Sequence, residues 1–147
     1  MHRFKLIAIA TAAIAMVGNA QASEFGTAEE ARAMLAKVVA AVKLDKTAAL
    51  ADMNKGAGDF KDRDLYPFCG GPDGMTTAHP TQLGTSFIEL KDKAGYPVGA
   101  EMYKVAAADK FAEVTYVWPR PGQVEPVAKV AFVTKVDDQV CGVGYYK

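Results

Sequence analysis

The chain has 147 residues, of which 50% are hydrophobic, and its 17 Lys and Arg residues balance 17 Asp and Glu residues. This length suits one globular domain, and the apolar content is high enough to build a hydrophobic core, which excludes an intrinsically disordered chain. A formal charge of zero gives no general attraction for the phosphate backbone of a nucleic acid. We therefore expect no nucleic-acid partner.

Residues 1–22 have the three-part layout of a secretory signal peptide. Arg3 and Lys5 precede an apolar run, and small residues then form a cleavage motif that ends at Ala22. The apolar run would be about 18 Å long as a helix, against about 30 Å for a bilayer core, which favours a cleaved peptide over a membrane tether. We predict cleavage after Ala22 and export to the periplasm or beyond, with residues 23–147 as the mature domain. A retained N-terminal anchor is the alternative.

The first element of the mature chain is predicted to be an amphipathic helix. Thr27 and Glu30 are spaced as a capping box, in which each side chain accepts a hydrogen bond from the other residue's backbone N–H. Apolar residues then recur at steps of three and four as far as Val42, which is the spacing of one helix face. The pattern resumes weakly up to Gly56, so we expect either one long helix or two helices joined near residues 43–45.

From Leu65 onward the apolar period changes to two, which predicts short β-strands separated by glycine and proline turns. The candidate strands span residues 65–69, 75–79, 86–91, 111–118, 127–135 and 140–146. Short connections favour antiparallel pairing, and Val98, Met102 and Val105 indicate a short helix beside the sheet. We predict a single α+β domain, in which a long N-terminal helix packs on a five- to six-stranded antiparallel sheet.

Two cysteines, Cys69 and Cys141, both lie in the mature chain. In an oxidising compartment an even pair of cysteines is best interpreted as a disulfide. A catalytic dithiol is the alternative, although no Cys-x-x-Cys motif supports it. The two cysteines and His79 lack the close spacing of zinc ligands, so we expect no metal site.

Several short motifs carry a resemblance to a known family. They are, in chain order, DLYPF (64–68), TAHP (77–80), KDKAG (91–95), VTYVWP (114–119), PVAK (126–129) and VCGVGYY (140–146). As an ordered set they resemble the single Cache domains of the second type, which are extracellular PAS-like sensor modules. The resemblance implies a five-stranded antiparallel sheet backed by the N-terminal helix, with a small-molecule pocket on the opposite sheet face. It also implies that the first and last strands are neighbours, which would bring Cys69 and Cys141 within bridging distance.

The resemblance also implies a set of ligand contacts. It points Lys129 into the pocket, where an ammonium group could bind a small carboxylate, although strand alternation equally allows Lys129 to face solvent. The other ligand-contacting positions that it implies are Tyr116, Trp118, Tyr66 and His79. The aromatic residues could instead be core packing, and His79 could be structural or could bind with a pH dependence. Tyr103, on the predicted short helix, is an additional candidate.

The sequence offers no nucleophile with a convincing base and no phosphate-binding glycine loop, so we predict that the chain is not an enzyme. We expect a periplasmic sensor module that binds a short organic carboxylate without a cofactor. Its signal would pass through a separate protein, such as a membrane receptor or kinase. One alternative is an interaction protein with a Cache fold and no ligand, whose pocket would be filled by apolar side chains. A small secreted hydrolase or redox enzyme is the other.

Overall fold

A computed structural model describes residues 23–147. The predicted signal peptide lies outside the described residues, so its cleavage stays a prediction. The elements are the helices α1 (Ala28–Leu44), α2 (Lys46–Lys55), a 3₁₀ turn (Gly58–Phe60) and α3 (Val98–Val105), and the strands β1 (Pro67–Gly70), β2 (Thr76–Ala78), β3 (Ala112–Pro119), β4 (Pro126–Val136) and β5 (Gln139–Tyr146). No helix in the described part of the chain is both long enough and apolar enough to cross a membrane.

Two consecutive helices form the N-terminal part of the domain. The capping box is confirmed, since the Glu30 N–H donates to Thr27 Oγ1 at 3.2 Å and the Thr27 N–H donates to Glu30 Oε2 at 2.8 Å. Asp45 then separates the helices, because it ends α1 and its side chain accepts the Ala48 N–H at 3.0 Å to begin α2. The chain therefore has two helices joined where the sequence predicts a junction.

The sheet has five strands in the order β2-β1-β5-β4-β3, and every neighbouring pair is antiparallel. The first and last strands are adjacent, and Cys69 lies directly opposite Cys141. These two residues form a buried disulfide, as predicted, with their Cα atoms 4.1 Å apart. The bond cross-links two central strands of the sheet.

The prediction of a strand over residues 86–91 is wrong. Ser86 forms only an isolated bridge with Met75, and the chain then turns. The Gly74 carbonyl accepts the N–H groups of both Phe87 and Ile88, at 2.8 and 3.0 Å, so these residues cannot use their N–H groups in a strand ladder. Phe87 is buried while Ile88 lies largely at the surface, and the segment forms a loop over the sheet.

The two faces of the sheet have different coverings. Helices α1 and α2 pack on one face, where buried residues such as Leu35, Val38 and Phe132 form the larger core cluster. The other face is covered by α3 and by the loop before it, and its core includes Phe87 and Met102. The charged and aromatic residues that the sequence predicts as a ligand site lie mainly on this second face.

Candidate functional site

A row of polar side chains crosses the second face of the sheet. Tyr116 of β3 lies opposite Lys129 of β4, and Lys129 lies opposite Tyr146 of β5. Residues directly opposite each other in an antiparallel sheet project from the same face. The register therefore turns Lys129 inward, and Tyr66, which precedes β1, packs against it from the side.

Lys129 is completely buried and is held by two phenol groups. Its Nζ donates to Tyr66 Oη at 2.9 Å and to Tyr146 Oη at 3.2 Å, and lies 4.2 and 4.6 Å from the centroids of the same two rings. Space for the side chain exists because residue 144 is glycine, since a Cβ there would collide with Lys129 Cε. None of the ion pairs within residues 23–147 involves Lys129.

Burial controls the protonation of Lys129. Loss of solvent lowers the pKa of its ammonium group from 10.5 to about 7, while the negative charge of Asp64 opposes this change. The side chain is thus close to its midpoint of titration at neutral pH. An anion brought near Lys129 would favour the charged form and raise this pKa again.

His79 has a neutral imidazole ring whose Nδ1 is a hydrogen-bond acceptor in this structure. Its Nδ1 accepts the backbone N–H groups of Thr81 and Gln82, at 3.0 and 3.2 Å, so the ring hydrogen belongs on Nε2. Burial, and secondarily the charge of Lys129, lower the pKa of His79 to about 4. The ring packs edge-on against Tyr66 and Trp118, with centroid distances of 5.3 and 6.3 Å.

Two spaces adjoin this aromatic cluster. The inner cavity has a volume of about 20 Å³, room for about one water molecule. The outer cleft is open to solvent and has a volume of about 540 Å³. The two spaces share Tyr66, His79, Gln82 and Trp118, which form the wall between them, whereas Lys129 lines neither.

The outer cleft carries an excess of positive charge. Its lining includes Lys91, Lys93 and Arg120 but only one carboxylate, that of Asp92. Both oxygens of Asp92 are already used, since Oδ1 accepts the N–H groups of Ala94 and Tyr96 at 2.9 Å and Oδ2 accepts that of Val117 at 3.0 Å. Burial acts to raise the pKa of Asp92, but these hydrogen bonds outweigh it and the pKa is lowered. The carboxylate is thus a structural anchor between the loop and β3.

Asp64 and Arg120 are functional candidates that the sequence analysis missed. The buried Asp64 carboxylate accepts the Gly26 N–H at 2.7 Å through Oδ1 and pairs with Arg120 Nε at 3.4 Å through Oδ2. The Arg120 guanidinium also stacks over the rings of Phe25 and Tyr146, at 4.2 and 5.1 Å from their centroids. The one signal in the sequence that could have identified Arg120 is its position as an isolated arginine in the turn after β3, the strand that contains Tyr116.

Five of the six ligand residues predicted from the sequence come together in this region. They are Tyr66, His79, Tyr116, Trp118 and Lys129. Tyr103 lies elsewhere on α3, where its hydroxyl donates to the Gly71 carbonyl at 2.6 Å and its ring packs on Phe87. It lines neither the cavity nor the cleft. The ligand role of all six remains a prediction.

The family model of Single Cache domain 2 matches residues 5–146. The chain belongs to this family. Cache domains of this type are sensor domains rather than enzymes, and the resemblance drawn from the sequence is confirmed. The match begins inside the predicted signal peptide, so the domain boundary at residue 23 stays a prediction.

Known chemoreceptors are among the similar proteins. The Cache domain is 34% identical over 59 residues to the methyl-accepting chemotaxis protein McpP of Pseudomonas putida, a match that covers 40% of this chain and 11% of that protein. Its fold is similar to the crystal structure of a methyl-accepting chemotaxis protein from Vibrio parahaemolyticus, with a TM-score of 0.65, 23% identity and coverage of 80% and 86% of the two chains. A Cache chemosensory domain whose structure concerns carboxylic acid recognition gives a TM-score of 0.58 at 23% identity, with coverage of 80% and 86%.

Proposed function

We propose that this Cache domain is an exported sensor that binds a short organic carboxylate in the outer cleft. The observation that carries the proposal is the positive charge of the cleft. Lys91, Lys93 and Arg120 line it, and the one carboxylate among the described residues of its lining, that of Asp92, has both oxygens occupied by backbone N–H groups. An apolar and aromatic wall beside a few directional polar groups is typical of small-molecule sites. One similar fold, from a Cache chemosensory domain described for carboxylic acid recognition, supports the same ligand class.

The ligand would lie against the wall formed by Tyr66, His79 and Trp118. The neutral His79 ring offers its Nε2–H to a carboxylate oxygen without the cost of protonation, since its pKa is about 4. The inner cavity, at about 20 Å³, holds no more than about one water, so the acid group binds on the cleft side unless the wall opens. Tyr116 lines that cavity.

Lys129 supplies positive charge from beneath this wall. Its ammonium lies 4.2 Å from the Tyr66 ring centroid and donates to the Tyr66 hydroxyl, which can pass the polarisation on to an acid in the cleft. The absence of an ion pair for Lys129 within the described residues leaves its charge available to the ligand. A bound carboxylate would thereby restore the pKa of Lys129 toward its usual value.

The signal would pass to a second protein, such as a membrane-bound chemoreceptor or a kinase. The chain spans 11% of the chemotaxis protein that it matches, and that protein's name supports a receptor context. The predicted signal peptide and the similar fold of a periplasmic sensor domain of a chemotaxis protein support action in the periplasm. The proposed chemistry needs no cofactor.

Titration with acetate, propionate, pyruvate and lactate tests the proposal. Trp118 is the only tryptophan of the sequence and lies in the site wall, so its fluorescence reports binding, with calorimetry as an independent measurement. Lys129→Met should weaken binding at least tenfold, whereas Lys135→Met, near the exposed end of the same strand, should leave it unchanged. Failure of every acid to bind, or equal affinity in the Lys129 variant, would contradict the proposal.

A second candidate function is an interaction module that binds no ligand. The observation in its favour is that the inner cavity, which Phe68, Phe87 and Met102 help to line, has a volume of only about 20 Å³. If this function is correct, none of the acids should change the fluorescence of Trp118 or the melting temperature.

A further inference from the structure

We propose that Arg120 is shared between the bound carboxylate and Asp64, and that this exchange couples the cleft to the N-terminal segment 23–26. The inference rests on the proposed function, to which it adds a ligand-binding residue and a route for the signal. Segment 23–26 directly precedes the N-cap of α1, Thr27. A change at this segment therefore reaches the start of the longest helix in the described part of the chain.

Arg120 has unused hydrogen-bonding capacity. Its Nε pairs with Asp64 at 3.4 Å, which is longer than the roughly 2.7 to 2.9 Å of a strong charge-assisted bond. The side-chain Nη groups of Arg120 make no hydrogen bond to any described residue. Arg120 lines the cleft, and its side chain is 16% exposed. A carboxylate in the cleft could therefore make the two parallel hydrogen bonds that Asp64 does not make.

Asp64 connects Arg120 to the N-terminal segment. Its two oxygens divide between the Gly26 N–H, at 2.7 Å, and Arg120 Nε. The Phe25 ring lies under the same guanidinium, 4.2 Å from its central carbon. Gly26 is buried and lies so close to Leu65 that a Cβ would collide with the Leu65 side chain. Displacement of Arg120 thus changes two neighbouring contacts of a tightly packed turn.

A second arginine holds the same segment independently of the cleft. Arg63 Nη1 donates to the carbonyls of Ser23 and Phe25, both at 3.0 Å, and Nη2 pairs with Glu30 at 2.7 Å. Arg63 does not line the outer cleft. The segment therefore has one anchor that the ligand leaves in place and one, through Asp64 and Phe25, that the ligand alters. The result is a local change at residues 25 and 26 rather than release of the whole N-terminus.

Amide hydrogen exchange tests the coupling in protein purified from the full 147-residue sequence. Saturating propionate should accelerate exchange of the Gly26 amide about fivefold or more, because Arg120 then leaves Asp64 and Phe25. Arg120→Gln should produce the same acceleration without ligand and should weaken propionate binding at least tenfold. Arg120→Lys should restore part of the affinity, which a purely structural role would not explain. Arg32→Gln removes an arginine stacked on Phe132 and is the matched control, with wild-type exchange at Gly26 expected.

The outcomes separate this inference from the proposed function. If propionate binds and the Gly26 amide is unchanged, or if Arg120→Gln binds it as well as the wild type, the coupling is wrong and the carboxylate sensor stands. If none of the four acids binds, the proposed function fails and the coupling fails with it. If Arg120→Gln does not fold, the Arg120→Lys variant decides. The inference is overturned if this variant binds propionate as tightly as the wild type and binding leaves exchange at Gly26 unchanged.

Discussion

Replacement of Lys129 by methionine should make the protein more stable at neutral and acidic pH. The change removes the buried ammonium group and keeps an unbranched, apolar side chain of similar length. Burial lowers the pKa of Lys129 from 10.5 to about 7. Since one pKa unit corresponds to about 1.4 kcal/mol, this gap costs the folded wild type about 5 kcal/mol below pH 7. Loss of the hydrogen bonds to Tyr66 and Tyr146, at about 1 kcal/mol each, leaves a net gain of about 3 kcal/mol.

The sign of the pH dependence follows from proton binding. Between about pH 7 and 10.5 the unfolded chain keeps the Lys129 proton while the folded protein has released it. The free energy of unfolding of the wild type therefore rises with pH across this window, and the cost is fully present only below pH 7. Methionine does not titrate. The advantage of Lys129→Met should thus fall from about 3 kcal/mol at pH 6 to near zero at pH 9.

Urea unfolding of both proteins at pH 6, 7, 8 and 9, with the disulfide intact, measures this difference. The range stays below pH 10 because burial raises the pKa of Tyr146, so ionisation of unfolded tyrosines would add a second dependence at higher pH. Lys135→Met is the control, since Lys135 is exposed on the same strand and its loss should add no slope. A constant difference between wild type and Lys129→Met from pH 6 to 9 would refute the reasoning.

Three further results are expected. The carboxylate affinity should fall about tenfold or more from pH 7 to 9, because loss of the Lys129 proton removes the positive charge behind the wall, and calorimetry at pH 8 should show a net uptake of protons on binding. An affinity that is flat with pH would contradict this role. Gly144→Ala should destabilise the protein by about 1 to 3 kcal/mol in urea unfolding, because the new Cβ collides with Lys129. In a protein that already carries Lys129→Ala, the same substitution should cost much less, and an equal cost with Lys129 present or replaced would count against the clash. Replacement of both Cys69 and Cys141 by alanine should lower the free energy of unfolding in urea by about 4 kcal/mol, because the disulfide joins residues 72 positions apart and so restricts the unfolded chain. A loss below about 1 kcal/mol would contradict this stabilising role of the disulfide.

Local patterns were sufficient to predict most of the fold. The capping box at Thr27 and the apolar spacing after it define α1 through contacts between residues close in sequence. The sequence therefore predicts this helix, and the structure contains it. The segment at 86–91 has strand-like residues too, but its N–H groups are taken by the Gly74 carbonyl. That acceptor belongs to a different turn, and a period of two over six residues does not reveal it. Pattern alone therefore predicted one strand too many.

The candidate site was only partly predictable, for a related reason. Alternation left both orientations of Lys129 open, and the pairing with Tyr116 and Tyr146 decides between them. Asp64 carries no local signal of its role, since its partners Gly26 and Arg120 are 38 and 56 residues away along the chain. Nothing in the local sequence identifies such a pairing. The residues that connect the site to the rest of the domain are thus the ones that sequence reasoning missed.

The electrostatics of the site favour an anionic ligand over a ligand-free scaffold. Lys129 and Arg120 approach the same carboxylate, Asp64, but only Arg120 pairs with it, and the distance is long for such a bond. In a domain that serves only as a scaffold, an apolar side chain at position 129 would give a more stable fold, because a buried charge without a close partner lowers the free energy of unfolding. The small inner cavity limits where an acid can bind, and no carboxylate side chain of the described residues lines it to supply the missing negative charge. One small carboxylate at the wall of the outer cleft would pair with Arg120 directly and would reach the charge of Lys129 through the Tyr66 hydroxyl. Carboxylate binding and the stability difference between the wild type and Lys129→Met should therefore follow the same titration, that of Lys129.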